Sequence, residues 1–298
     1  MPRDEIVAFA KVEIAIGKAR DSVQAQLAQA GNKKGETLTQ LREKLQTHIG
    51  EILHHSGMTQ AEYEKKTFIV SSDVETRKLF DSTVAVLTGA PLPGQVATNR
   101  ATVNVPAGPV GTHIGHVVNG FNDTPMGQGL LPVAMAEARV AAQHAALAAR
   151  GAGNLDGMKL HMGHVINALD PSIVATGPGQ GYGAKKAALG VASHIDLAAK
   201  AQGASQNVIT HANHIATSAR NSVQRADSII VLAKQVQAAT AAAEAAALVN
   251  QIVSLTEQLI AGADANGDGR VTWEAGEGGL QHAEQHVMLM LNAEGRGR

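Results

Sequence analysis

Hydrophobic positions recur every three or four residues along most of the chain. Phe9, Val12 and Ile16 share one face of a first predicted helix, and a stripe from Val208 to Ala233 predicts a long helix over residues 205–239. Segments rich in proline, glycine and asparagine interrupt this pattern, most clearly over residues 89–110. The sequence therefore predicts an all-α protein.

Changes in composition divide the chain into four parts. The prolines of the second part disfavour a helix interior, so it is predicted to be a linker. The parts are an N-terminal helical domain over residues 1–88, a Pro/Gly-rich linker over 89–110, a histidine-repeat helical bundle over 111–239 and a helix-loop-helix hairpin over 240–298.

A short phrase with two histidines occurs three times in the third part. Two side chains three residues apart share a helix face, so each pair can present two imidazoles to one ligand. The pairs recur at spacings of 48 and 50 residues: His113/His116, His161/His164 and, in a looser copy, His211/His214.

A lone histidine follows each of the first two pairs after about 30 residues, on a second predicted helix. It is His144 in Gln-His-Ala-Ala-Leu-Ala-Ala and His194 in Ser-His-Ile-Asp-Leu-Ala-Ala. Three histidines that meet at one point make a metal site. Chain order then predicts two equivalent transition-metal sites, His113/His116/His144 and His161/His164/His194.

The third copy lacks the lone histidine, because Ser228 stands at the corresponding position. A third site needs a ligand from elsewhere. His282 and His286, one helical turn apart near the C-terminal end, are the candidates. Duplicated core packing is the alternative explanation for all of these histidines.

Glycine lies between the paired histidines at Gly115 and Gly163. Glycine inside a helix costs roughly 1 kcal/mol relative to alanine, so its use predicts the close approach of another helix or of a flat ligand such as haem. Asn119 and Asn167, three residues beyond the pairs, are candidate hydrogen-bond partners of the ligands.

The segment Asp-Ala-Asn-Gly-Asp-Gly-Arg-Val-Thr-Trp over residues 264–273 resembles the calcium loop of EF-hand proteins. Oxygens at alternate positions and a glycine at the sharp turn suit a hard cation. The family has a glutamate at the twelfth position, where this chain has Ala275, so an enlarged loop is predicted in which Glu277 opens the next helix. The predicted calcium ligands are Asp264, Asn266, Asp268, Arg270 through its carbonyl, Thr272 and Glu277.

Composition narrows the possible chemistry. A net charge of −1 and an aromatic content of 2% argue against nucleic-acid binding. There are no cysteines, so a transition metal must be bound by imidazole, carboxylate or methionine. The most apolar long segment, residues 231–249, contains charged and amide side chains, so no membrane span is expected.

Two further resemblances bear on location. Residues 4–88 resemble a small helical domain of unknown function in exported bacterial proteins. Residues 111–239 are similar in style to histidine-rich periplasmic helical bundles that bind copper and other divalent metals. The sequence has no signal peptide, so the protein is either cytosolic or the mature form of an exported one. The two resemblances imply the second, a periplasmic or secreted protein.

These observations predict an envelope protein that buffers or carries a transition metal, with an additional calcium site. Copper or zinc is expected, with nickel or iron as alternatives, since imidazole suits all four. Two alternative functions stay open. One is a redox protein that binds non-covalent haem or a metal centre, and the other is a structural or docking bundle stiffened by calcium. No catalytic motif is recognised, so binding is favoured over catalysis, and a homo-oligomer or an envelope protein is the expected partner.

The EF-hand resemblance generates a first prediction. Calorimetry on the chelator-treated protein should show calcium uptake, because the alternating oxygens of residues 264–272 suit this ion. Uptake should disappear in the double variant Asp264→Ala/Asp268→Ala. Equal uptake by the wild type and the double variant would contradict a calcium site in this loop.

Overall fold

The structure is a computed structural model that describes residues 1–27, 35–88 and 102–295. The regular structure in these ranges is entirely helical, which confirms the predicted all-α class. The chain forms two compact units, Met1–Arg100 and Ala101–Arg298. Residues 89–101 of the predicted linker lie outside the described ranges.

No helix in the described ranges is both long enough and apolar enough to cross a lipid bilayer.

Over residues 1–27 and 35–88, the first unit forms four helices around a small core. Phe9 and Tyr63 are almost fully buried in it, with ring centroids 5.8 Å apart. Thr59 and Glu62 form the capping box that the Thr-x-x-Glu spacing predicts. The helices are α1 (Arg3–Leu27), α2 (Gly35–His55), α3 (Gln60–Ser72) and α4 (Val74–Thr88).

In its described residues the second unit forms seven helices, and the long helix α9 packs against α7, α8, α10 and α11. A single turn of 3-10 helix, Pro125–Gly127, precedes α6. The helices are α5 (Gly108–Val118), α6 (Leu130–Arg150), α7 (Leu155–Leu169), α8 (Ala184–Lys200), α9 (Gln206–Ala238), α10 (Ala242–Ala261) and α11 (Leu280–Ala293).

Small side chains dominate the core of this unit. Ala138, Ala141 and Ala145 on α6 and Ala187 and Val191 on α8 are completely buried. Because alanine adds little volume between two helix axes, helices that meet through such residues can lie close together. This packing brings the histidine-bearing helices within reach of one another.

Two predicted boundaries differ from the structure. Helix α5 begins at Gly108 rather than near residue 111, because Pro109 occupies the first turn, where its missing N–H is not needed. The predicted division at residue 239 does not separate two cores: Val249 of α10 and Met290 of α11 are buried in the same cluster as Ile215 of α9.

A buried carboxylate fixes the loop that leads into α8. Glu137 on α6 is completely buried and accepts backbone N–H groups from Gln180, Tyr182 and Gly183, at 3.0–3.1 Å. Asn167 on α7 supports the same loop by bonding to Val174 and Gly179. The start of α8 is therefore held by side chains from two other helices.

A buried cation has the same role in the loop before α11. Arg225 on α9 donates to the carbonyl oxygens of Gly276, Glu277 and Gly278 at 2.6–2.9 Å. Asn221, one turn earlier, donates to the Glu274 carbonyl and accepts from the Gly276 N–H. Burial lowers the pKa of Arg225 to about 10, which leaves it charged at neutral pH.

Replacement of Glu137 by alanine should lower the free energy of unfolding of the second unit by about 3 kcal/mol or more. The change leaves buried N–H groups of the 180–183 segment without an acceptor, and each such group costs about 1–3 kcal/mol. Chemical denaturation followed by the fluorescence of Trp273 measures the effect. Glu244→Ala, an exposed position on α10, is the control and should change little. A similar stability of the two variants would contradict the anchoring role.

Candidate metal centres

The structure brings nine histidines of the second unit together in three clusters. Within each cluster, one ring nitrogen from each of three histidines lies within 4.8 Å of the other two. We call the clusters site 1 (His113, His116, His194), site 2 (His144, His161, His164) and site 3 (His211, His214, His286).

Site 1 joins α5 to α8. The Nδ1 atom of His194 lies 3.2 Å from Nδ1 of His113 and 3.3 Å from Nδ1 of His116. The ring of Phe121, from the loop after α5, contacts both His116 and His194, with centroid distances of 5.2 and 5.0 Å. The three imidazoles are half-buried.

Site 2 joins α6 to α7 and is the most enclosed. The Nδ1 atom of His144 lies 3.1 Å from Nδ1 of His161 and 3.2 Å from Nδ1 of His164. The exposed fractions of the three residues are 3%, 8% and 9%. Nearly all of this site is therefore removed from solvent.

Site 3 joins α9 to α11. The Nδ1 atom of His286 lies 3.0 Å from Nδ1 of His211 and 3.4 Å from Nδ1 of His214. Trp273 stacks on the His214 ring, with centroids 4.0 Å apart and planes inclined by 19°. As in site 1, the imidazoles are half-buried and an aromatic ring from a neighbouring loop contacts the cluster.

The three sites have the same internal geometry. The rings of the paired histidines are 5.7–6.0 Å apart. The lone histidine lies 5.3–5.4 Å from the first ring of its pair and 4.6–4.7 Å from the second. This agreement holds although three different pairs of helices supply the ligands, and core packing alone does not require it.

The separations between the Nδ1 atom of the lone histidine and those of its pair match the spacing of ligands around a single metal ion. Two ligands bound at 2.0–2.1 Å with a tetrahedral angle between them lie about 3.3–3.4 Å apart. The six Nδ1–Nδ1 distances given above are 3.0–3.4 Å. The two axial ligands of a haem iron lie on opposite sides of the metal, about 4 Å apart, so this arrangement favours a bare ion over haem.

Hydrogen bonds among the three imidazoles of a site cannot satisfy all of their Nδ1 atoms. Each neutral imidazole has one nitrogen with a hydrogen and one with a lone pair, and a hydrogen bond between two Nδ1 atoms needs one of each. The central histidine of a site would have to share a single hydrogen or a single lone pair between two neighbours. A cation instead accepts all three lone pairs at once.

Burial keeps the ligands in the neutral form that binds metal. Desolvation, followed by the neighbouring histidines of each site as smaller causes, lowers the pKa of His161 and of His286 to about 4. The same causes lower the pKa of His116 and His194 in site 1. In site 3 desolvation also lowers the pKa of His211 and His214. Proton competition is thus expected below the ordinary histidine value of about 6.5.

The grouping predicted from chain order is wrong for the lone histidines. The structure places His194 with His113 and His116, and His144 with His161 and His164. The first repeat, α5 and α6, and the second, α7 and α8, thus exchange their lone histidines. The physical reason is packing: α5 lies against α8, and α6 lies against α7.

Of the two explanations predicted for the glycines, the close approach of another helix is wrong. A β-carbon at Gly115 would meet nothing within 4 Å, and one at Gly163 would meet only the side-chain nitrogen of Gln237, at 3.7 Å. Close packing against another helix backbone therefore does not explain these glycines, and the flat-ligand explanation stays a prediction. Asn119 bonds to the backbone of Val103 and, like Asn167, supports the main chain rather than a ligand.

The histidines outside the clusters have other contacts. His282, predicted as a ligand of site 3, lies outside that cluster, and its Nε2 is 3.1 Å from the carbonyl oxygen of Val271. In the first unit, the Nδ1 of His55 lies 2.7 Å from the carbonyl oxygen of Glu51. His286 is thus the residue of the C-terminal hairpin that completes the third site.

The predicted calcium loop has a compact, self-bonded conformation. The carboxylate of Asp264 accepts N–H groups from Gly267, Asp268 and Gly269 at 2.7–3.2 Å. The Asn266 side chain accepts the Asp268 N–H. Within the part of the chain that the structure describes, the groups of three convergent ligands are the histidine sites, and the carboxylates of this loop form no such group. Calcium binding stays a prediction.

Glu277 differs from its predicted place in that loop. Helix α11 begins at Leu280, so Glu277 precedes the helix rather than opening it. Its side chain is buried and accepts the N–H and the hydroxyl of Thr272, at 2.8 and 2.6 Å. These bonds close the end of the loop near Trp273.

Sequence reasoning missed four residues that shape the sites. Phe121 and Trp273 contact the ligands, and Glu137 and Arg225 fix the loops that lead into α8 and α11. A charged residue inside an alanine-rich helical stripe was the available signal for Glu137 and Arg225. Nothing in the local sequence of Phe121 or Trp273 indicates contact with a histidine distant in the fold.

The lowered pKa values predict that the metal-free protein loses stability as the pH falls from about 6.5 to about 5. The unfolded chain binds protons on His161 and His286 in this interval, whereas the folded chain, with pKa values of about 4, does not. Denaturant unfolding at several pH values, followed by Trp273 fluorescence, measures the slope. The double variant His161→Leu/His286→Leu should show a smaller slope, and an unchanged slope would contradict this cause.

Comparison of the chain with protein-family models, curated proteins and solved structures finds no match. The chemistry of the three sites must therefore be inferred from their own residues and geometry.

Proposed function

We propose that this protein binds transition-metal ions, one at each of sites 1, 2 and 3, and acts as a metal buffer or carrier. The observation that carries the proposal is the threefold recurrence of one geometry, in which Nδ1 of the lone histidine lies 3.0–3.4 Å from Nδ1 of both paired histidines. Three neutral imidazoles are a ligand set that zinc and copper accept readily.

The chemistry of the imidazole ligands limits which metal ions the sites can bind. Imidazole is a borderline ligand, so divalent zinc, copper, nickel and cobalt fit, whereas calcium and magnesium prefer oxygen. Of these ions, Cu²⁺ has the highest affinity for such sites. The metal bound in the cell also depends on the supply of each ion. The periplasmic location stays a prediction.

The presence of several similar metal sites on one chain suits metal storage or transfer better than catalysis, for which a single centre is enough. All three sites have the same ligands and nearly the same ring spacing, so they are expected to prefer the same metal. An ion in site 1 or site 3 also links helices distant in sequence: His113 and His194 are 81 residues apart, and His211 and His286 are 75 residues apart. Binding to the folded state alone should therefore raise the unfolding temperature.

The central prediction is a stoichiometry of three ions per chain. Metal analysis after loading with Zn²⁺ or Co²⁺ and removal of excess metal should give three, and each of His116→Ala, His164→Ala and His286→Ala should lose one. His282→Ala and His48→Ala are matched controls and should lose none. Retention of all three ions by the site variants would overturn the proposal.

Double variants test which lone histidine belongs to which pair. His116→Ala/His194→Ala alters one site and should lose one ion, whereas His164→Ala/His194→Ala alters two sites and should lose two. The grouping predicted from chain order gives the opposite result. The two double variants share the His194 change, so any general effect of that change on folding is common to both.

Site 3 can also be followed alone. Trp273 is the single tryptophan of the chain and stacks on His214. Cu²⁺ at this site should quench its fluorescence strongly. Quenching should persist in His116→Ala and disappear in His286→Ala.

A further inference from the structure

The three sites differ in one respect, which is their access to solvent. The histidines of site 2 are 3–9% exposed, whereas those of sites 1 and 3 are half-buried. Sites 1 and 3 each have an aromatic ring, Phe121 or Trp273, in contact with a ligand, and their histidines keep part of their surface accessible to solvent. An ion in site 1 or 3 is thus expected to face solvent on its remaining side.

The protein supplies three ligands to each ion. Among the described residues, no carboxylate and no fourth histidine joins any of the three clusters, and the chain has no cysteine. A tetrahedral ion bound by three side chains keeps one open coordination position, as catalytic zinc sites do. That position takes a ligand from solution wherever solution can reach it.

The charge of the site determines what kind of ligand is favoured. Three neutral imidazoles leave the full charge of a divalent ion uncompensated, and the Coulombic attraction for an anion is strong where the surroundings are partly desolvated. Exchange of a bound water for a small anion lowers the charge of the complex from +2 to +1 and releases the water. In site 2 the anion would first have to lose its hydration and enter a closed core.

We propose that sites 1 and 3 each keep a labile coordination position that binds a small monodentate anion, whereas site 2 is closed to exogenous ligands. This rests on the proposed metal binding. Sites 1 and 3 then exchange both metal and anion with solution, and the ion of site 2 is a permanent structural link between α6 and α7.

Cobalt(II) is the probe, because its visible absorption changes with its ligands. Double variants leave one site each: His164→Ala/His286→Ala keeps site 1, His116→Ala/His164→Ala keeps site 3, and His116→Ala/His286→Ala keeps site 2. Each variant is loaded with Co²⁺ and titrated with sodium azide. The spectrum should shift to saturation for site 1 and for site 3 and should stay unchanged for site 2.

The wild type provides a second measurement that does not depend on the folding of the variants. Azide should shift about two thirds of its Co²⁺ absorption, and a chelator should remove two ions quickly and the third slowly. A response of all three ions, or of none while three Co²⁺ ions are bound, would overturn the labile position. Failure to bind Co²⁺ at all would instead overturn the proposed metal binding, so the two outcomes are distinct.

Discussion

The close packing of two helices is the constraint on which each histidine cluster depends. Three imidazoles reach a common point only if the helix that carries a pair and the helix that carries the lone histidine lie near each other. Alanine supplies this closeness, as at Ala141 and Ala145 on either side of His144, because it fills an interface with minimal volume. A larger side chain at these positions would separate the helices and move the nitrogens apart.

The histidine clusters also require that the long loops before α8 and α11 hold these helices in fixed positions. The loop before α8 is held by backbone N–H groups that donate to Glu137, and the loop before α11 is held by Arg225, which donates to backbone carbonyl oxygens. These charges are buried and satisfied by several bonds, which makes each loop costly to rearrange. The lone histidines His194 and His286 thus depend on buried charges on other helices.

The exchange of His144 and His194 ties the first two repeats into one unit. Each repeat gives a pair to one site and a lone histidine to the other, so neither repeat can complete a site alone. Ions in sites 1 and 2 would therefore link the same two repeats twice. In the third repeat the long helix α9 has no lone histidine, and α11 supplies it from the end of the chain.

The amino-acid sequence by itself determined the helical class, the long helix α9 and the pairs at His113/His116, His161/His164 and His211/His214. These features are local, since they depend on helical periodicity and on a spacing of three residues. It could not determine which lone histidine joins which pair, because the two repeats make His144 and His194 equivalent in sequence. Only the tertiary packing of α5 on α8 and of α6 on α7 decided that. The same packing, by burying site 2 and leaving sites 1 and 3 nearer the surface, decided how these equivalent ligand sets differ.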